Sequence, residues 1–257
     1  MKLSISNIAW SAENDASVYT LMREMEFAGL EIAPTRIFPE APYDQLDSAA
    51  KWSAGIGFAV PSMQSIWYGK SGNIFCDNER GELIEYTRKA VGFAESIGCR
   101  NMVFGCPRNR QIPGPEYRAQ AVAFFREIGV YASEHHCVIG MEANPAIYNT
   151  NFINTTAEAL ELVKEVNTPG FKLNLDVGTM VYNKESVELL RGQIPYISHV
   201  HISEPYLKLI EKRDLHQQLA ELLREEHYAG YVSIEMGKQE NIEDIRQTMA
   251  YVKGIFQ

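Results

Sequence analysis

Cysteine is scarce in this chain of 257 residues: only Cys76, Cys99, Cys106 and Cys137 occur, and no two form a Cys-x-x-Cys pair. A chain this long does not need disulfides for stability, so the four are expected as reduced thiols in a cytoplasmic protein. Positive charge is also short. Twenty-four Lys and Arg face 33 Asp and Glu, giving a formal net charge of -9 and a pI near 5.3. Such a surface repels a phosphate backbone and argues against a nucleic-acid partner. No run approaches the ~20 apolar residues that span a bilayer, so no membrane partner is expected. The start, Met1-Lys2-Leu3-Ser4-Ile5-Ser6, lacks the apolar run and small-residue cleavage site of a signal peptide and alternates like a strand. No Gly/Ser/Pro-rich linker divides the chain, so residues 1–257 are expected to form one domain.

What is present is a repeat. Hydrophobic residues make up 46% of the chain, enough for a sizeable core. Short apolar or alternating segments recur at 3–8, 29–33, 57–64, 101–105, 138–142, 171–176, 199–203 and 231–235. Helical patterns lie between them, at 16–27, 83–97, 119–133, 215–223 and 242–255. Another helix is expected from a Thr155 or Thr156 cap with Glu158 near its start. Eight strand signals in 257 residues repeat every ~32 residues, the size of one βα unit. The fold class is therefore α/β, a single-domain (β/α)8 TIM barrel. A doubly wound sheet is the competitor, but there are too many strands and no Gly-x-Gly-x-x-Gly turn follows the first.

The last four strand segments each end on an acid or a histidine: Glu142, Asp176, His201 and Glu235. The intervals are 34, 25 and 34 residues, about one βα unit each, so the four occupy equivalent strand ends. The strand period of two puts Asn174 on the face of Asp176, His199 on that of His201 and Ser233 on that of Glu235. The other face carries Leu173, Leu175, Val200, Ile202, Val232 and Ile234 and packs under the helices. The polar face opens at the C-terminal mouth, where barrel active sites lie. Taken singly, each acid is an ordinary helix cap or ion-pair partner. Together, three carboxylates cannot all stay ionised without a compensating charge, and one divalent ion (Mn, Mg, Co or Zn) supplies it.

The stretch from Glu142 through Asn154-Thr155-Thr156 and Leu173-Asn174-Leu175-Asp176 to His199-Val200-His201 and Ile234-Glu235 resembles the xylose isomerase-like superfamily. The match is to its sugar phosphate isomerase/epimerase branch, which includes tagatose 3-epimerase-type enzymes and inosose dehydratases. The resemblance implies that Glu142, Asp176, His201 and Glu235 bind one metal and that Glu142 and Glu235 act as acid and base. It implies a sugar or sugar-phosphate isomerase or epimerase of carbohydrate metabolism, working by proton transfer through a metal-stabilised enediolate. Loss of a β-hydroxyl after the same first step would give a dehydratase. Tagatose-type relatives carry a histidine where Thr179 stands and an arginine where Leu207 stands, with Lys208 beside it.

Further residues are expected near the mouth. Asn7, Glu31, Gln64, Trp67, Arg108, Asn144, Thr179 and Lys208 are candidates for binding a small carbohydrate, with Arg110 beside Arg108. Glu204 is expected to orient His201, and Asn144 to support Glu142 or to meet substrate. Trp67 also reads as loop packing, and the arginines as surface charge. His135, His136 and His227 read as helix-end residues, and His199 as core. Asp214-x-His216 resembles part of an apurinic endonuclease site, but Gln64 and Thr179 stand where such a site needs histidines, and Asp214 reads better as a helix N-cap. A catalytically silent sugar-binding module is the non-enzyme alternative. The long C-terminal helix offers a surface for a homo-oligomer.

Overall fold

The computed structural model describes residues 1–257. Its eight strands are β1 (Lys2–Ser6), β2 (Gly29–Glu31), β3 (Ser62–Met63), β4 (Asn101–Phe104), β5 (Val138–Glu142), β6 (Phe171–Asp176), β7 (Ile197–Ile202) and β8 (Tyr231–Ile234). All pair in parallel, in the order β2-β1-β8-β7-β6-β5-β4-β3. Bridges from Gly29 to Ala59 and from Ile32 to Met63 join the two ends of that order and close the barrel.

The helices are α1 (Asp15–Glu24), α2 (Pro34–Ile37), α3 (Leu46–Ile56), α4 (Asp77–Ser96), α5 (Arg118–Glu134), α6 (Thr156–Val166), α7 (Val177–Asn183), α8 (Asp214–Glu225) and α9 (Ile242–Phe256). Their apolar stripes cover the outside of the barrel. In α8, His216, Leu219, Ala220, Leu222 and Leu223 are buried, the i, i+3, i+4 spacing of a one-sided helix. Thr155 caps α6 in a full capping box, its hydroxyl accepting the Glu158 N–H while Glu158 accepts the Thr155 N–H. Asp214 is the first residue of α8 rather than its cap; Arg213 holds the cap position, with no side-chain bond there.

Strand β3 and helices α2, α3 and α7 differ from the sequence expectation. The segment 57–64 is strand only at Ser62–Met63, because Leu46–Ile56 is helix and Gly57 ends it at φ 76. Helix α3 carries Ala, Ser and Lys on most of its surface and buries only Ala49 and Ile56, which leaves little periodicity to read. The short helix α7 follows β6 immediately, started by Asp176 itself.

Candidate metal centre

Register brings the four donors together. Asp176 pairs directly with His201 across β6 and β7, and Glu142 pairs with Asn174 across β5 and β6. Glu235 follows β8 by one residue, and its N–H bonds the Ile202 carbonyl. One ligand atom from each of Glu142, Asp176, His201 and Glu235 lies within 4.8 Å of the others. His201 Nδ1 stands 3.1 Å from Glu142 Oε1 and 3.2 Å from Glu235 Oε2. The cluster is nearly dry, with Glu142 at 9% exposure, Glu235 at 6% and His201 at 0%.

Three of the four donors are held from behind. Asn174 Nδ2 donates to Glu142 Oε1 at 2.9 Å, and Asn144 Nδ2 donates to Oε2 at 3.2 Å. Asp176 caps α7: its Oδ1 accepts the Thr179 N–H at 2.6 Å and its Oδ2 accepts the Ser203 hydroxyl. His201 Nε2 lies 3.0 and 3.1 Å from the two oxygens of Glu31, which also takes His199 Nε2 at 2.7 Å. With Nε2 donating to Glu31, Nδ1, which faces Glu142 and Glu235, is the nitrogen a cation would bind on displacing its proton.

The electrostatics are those of a cation site. Burial pushes the Glu142 carboxyl up, with Glu235 adding to the rise against the pull of His201. Burial and then Glu142 raise Asp176 to about 6, and burial raises Glu235. Burial disfavours charge on His201, but Glu235 and Glu31 overcome it and hold the ring well above its usual range. Burial alone would raise Glu31, yet its two histidine partners hold it well below the usual carboxylate range. The three crowded carboxylates thus hold protons more readily than free ones do, and a divalent ion would offset that crowding. Three oxygens and one imidazole nitrogen, already converged, fit such an ion.

The other candidate residues fall into two groups. Gln64, Asn144 and Glu204 line a cavity of about 210 Å³ at the cluster, together with Cys106, Tyr148 and Leu207. Gln64 is tied to Ser6 by a 2.5 Å bond. Glu204 does not face His201; Arg213 takes it in a two-bond pair at 2.6 and 2.7 Å, and Glu31 holds the histidine instead. Glu31 itself is fully buried and cannot reach substrate. Asn7 is buried, accepting the Ala33 N–H at 2.9 Å. Trp67 is 3% exposed, its Nε1 donating to Thr87 within a cluster of Phe104 and Phe124, so it packs rather than stacks on a sugar. Thr179 is buried and donates to the Ala143 carbonyl. Arg108 and Lys208 are exposed and line no part of this cavity. Asp214-x-His216 lies away from the mouth, with His216 buried against the Tyr251 hydroxyl.

Three contributors escaped sequence reasoning. Ser203 bridges the Gly178 N–H and Asp176. Tyr148 lines the mouth from a loop, its hydroxyl accepting the Tyr206 N–H at 2.7 Å. Gly105 leaves room for Glu142, since a Cβ there would stand 2.8 Å from Oε2. A larger groove of about 1130 Å³, beside α2 and α4, shares only Ser65 with this cavity.

A closed parallel barrel with a buried three-carboxylate, one-histidine cluster at the carboxyl ends of β5 to β8 defines a (β/α)8 protein whose mouth could hold a metal ion. The chain belongs to the xylose isomerase-like TIM barrel family, whose model matches residues 20–255. No curated protein matches it in sequence. Among solved structures it is similar to D-psicose 3-epimerase from Clostridium cellulolyticum H10, with TM-score 0.82 and 16% identity over 100% of both chains. It is similar to 3-keto-D-glucoside 4-epimerase from E. coli, with TM-score 0.79 and 19% identity over 99% of both. A sugar phosphate isomerase/epimerase from Parabacteroides distasonis gives TM-score 0.75 at 15% identity, over 98% of this chain and 93% of that one. At these identities the likeness is one of fold.

Proposed function

We propose that this barrel is a divalent-metal-dependent sugar isomerase or epimerase acting on an unphosphorylated sugar. The convergence of Glu142, Asp176, His201 and Glu235 within 4.8 Å carries the reading. These four would hold the ion. Once bound, it would polarise a substrate carbonyl and stabilise negative charge on its oxygen.

The chain's own residues supply the proton chemistry. Glu142 and Glu235 approach the mouth from β5 and from the end of β8, and both line the cavity. One takes the proton from the carbon beside the carbonyl, and the other returns a proton to the resulting enediolate. Positioned acid and base groups of this kind contribute about 10²–10⁴-fold. Asn144, Gln64 and Tyr148 offer hydrogen bonds for hydroxyls. None of the residues lining the cavity is Lys or Arg, so a phosphate would meet carboxylates with no partner of opposite charge. That is the support for a neutral sugar.

The test is metal content by mass spectrometry on protein purified without chelator, for wild type, Glu142→Gln, Asp176→Asn, His201→Ala and Glu235→Gln. About one equivalent in wild type, lost or weakened in the variants, is expected. Ketoses, their phosphates and inososes are then screened for deuterium uptake from heavy water, with uptake expected on a free ketose. No metal after loading with Mn²⁺, Co²⁺ or Zn²⁺ would sink the proposal.

A further inference from the structure

Arg110 is a cation without an anionic partner. Its side chain is 0% exposed, its Nε has no hydrogen-bond partner, and Nη1 reaches only Met141 Sδ at 4.0 Å. Burial pulls the guanidinium down only to about 10, so it stays charged at neutral pH. A buried charge held this way is destabilising unless something nearby offsets it. Its one strong contact is Nη2 to Asn144 Oδ1, at 2.6 Å.

That contact fixes how Asn144 faces the metal cluster. Arginine only donates and a carboxylate only accepts, so one amide orientation satisfies both neighbours of Asn144. Oδ1 must face Arg110, and Nδ2 then donates to Glu142 Oε2 at 3.2 Å. The loop carrying Arg110 is clasped to the loop after β5. Asn151 accepts the Ile112 N–H and donates to the Ile112 carbonyl, both at 2.9 Å. Charge points the same way. Glu31, Glu142, Asp176 and Glu235 bring four negative charges when ionised, a divalent ion offsets two, and Arg110 offsets a third.

We infer that Arg110 is a positioning residue for the metal site, acting through Asn144 to aim Glu142. It touches neither the cavity nor the proposed ligand atoms, so its influence runs through the amide. The inference rests on the proposed metal site, and the experiment separates the two.

Mn²⁺ is titrated calorimetrically into metal-free wild type, Arg110→Met, Asn144→Ala and the double variant, with thermal unfolding run alongside. Each single variant is expected to weaken Mn²⁺ about 10- to 100-fold. The double is expected to match the weaker single, because both changes break one relay. Multiplied losses in the double would overturn the inference while leaving the metal site standing. So would an unchanged or tighter Mn²⁺ in Arg110→Met, and so would a loss of thermal stability without a loss of affinity. Absence of Mn²⁺ binding in wild type would instead remove the metal site itself, and the inference with it. If Arg110→Met does not fold, Arg110→Lys keeps a cation and a donor. It is expected to bind Mn²⁺ within about threefold of wild type, and a loss as large as that of Asn144→Ala would overturn the relay.

Discussion

Glu31 and His201 lie 3.0 Å apart across the barrel, on β2 and β7, strands that are not neighbours. The pair turns Nδ1 of His201 toward Glu142 and Glu235, and His199 secures Glu31 from one layer deeper. Glu31→Gln keeps the shape and removes the charge. A carboxylate behind a metal-binding histidine contributes about 10- to 100-fold in metal affinity. Calorimetric Mn²⁺ titration should show a loss of that size with the far-UV spectrum unchanged; affinity within threefold of wild type would show that Glu31 only fills space.

Gly105→Ala should separate affinity from stability. The backbone there is not left-handed, so alanine fits the chain and, by stiffening the unfolded state, is worth about 0.4–1 kcal/mol of added stability. Its Cβ, however, would stand 2.8 Å from Glu142 Oε2 and force the carboxylate aside. Unfolding temperature should hold or rise while Mn²⁺ affinity falls about tenfold or more. A variant with both quantities intact would mean that Glu142 has room to spare.

Metal affinity should depend on pH around the Asp176 carboxyl. Burial and Glu142 raise it from 3.8 to about 6 in the metal-free fold. A raised carboxyl contributes stability that is full below its ordinary value and lost as pH rises through about 6. Binding must displace that proton, so below about 6 affinity should drop about tenfold per pH unit for each proton released. Mn²⁺ should therefore raise the unfolding temperature more at pH 7.5 than at pH 5. Equal shifts at the two values would contradict the assignment.

The convergence of Glu142, Asp176, His201 and Glu235 was legible because they obey local rules. Residues 138–142 and 171–176 have the strand bounds that alternation predicts, and one βα unit separates equivalent strand ends. Asn144 was legible as a support for Glu142 and Glu31 as a residue near the mouth, but how the donors are otherwise supported was not. Glu31, Ser203 and Gly105 act across the barrel, where contact depends on closure and register rather than on any pattern along the chain. Glu204 sits three residues past His201 and looked like its support, but the backbone past β7 turns it toward Arg213. The loops after β3 and β4 have no period, so nothing decided between packing and sugar stacking for Trp67, and the burial of Arg110 rather than Arg108 had no sequence signal.

His216 offers a test in which the mouth should play no part. It lies between α8 and α9 with Nδ1 3.0 Å from the Tyr251 hydroxyl and Nε2 without a partner. Burial, and then Arg213, lower its pKa from 6.5 to about 4. The unfolded chain takes up a proton near 6.5 that the folded protein refuses until about 4, so this residue costs stability as pH falls between those values. His216→Phe fills the site with an apolar ring and removes the cost. Its unfolding temperature should fall less than that of wild type between pH 7.5 and pH 5, measured with saturating Mn²⁺. Metal stoichiometry should stay the same, because Asp214-x-His216 belongs to the helix packing and not to the cluster. A lost equivalent of metal in His216→Phe would return that motif to the list of ligands, and an unchanged pH response would show that the buried ring is not held neutral.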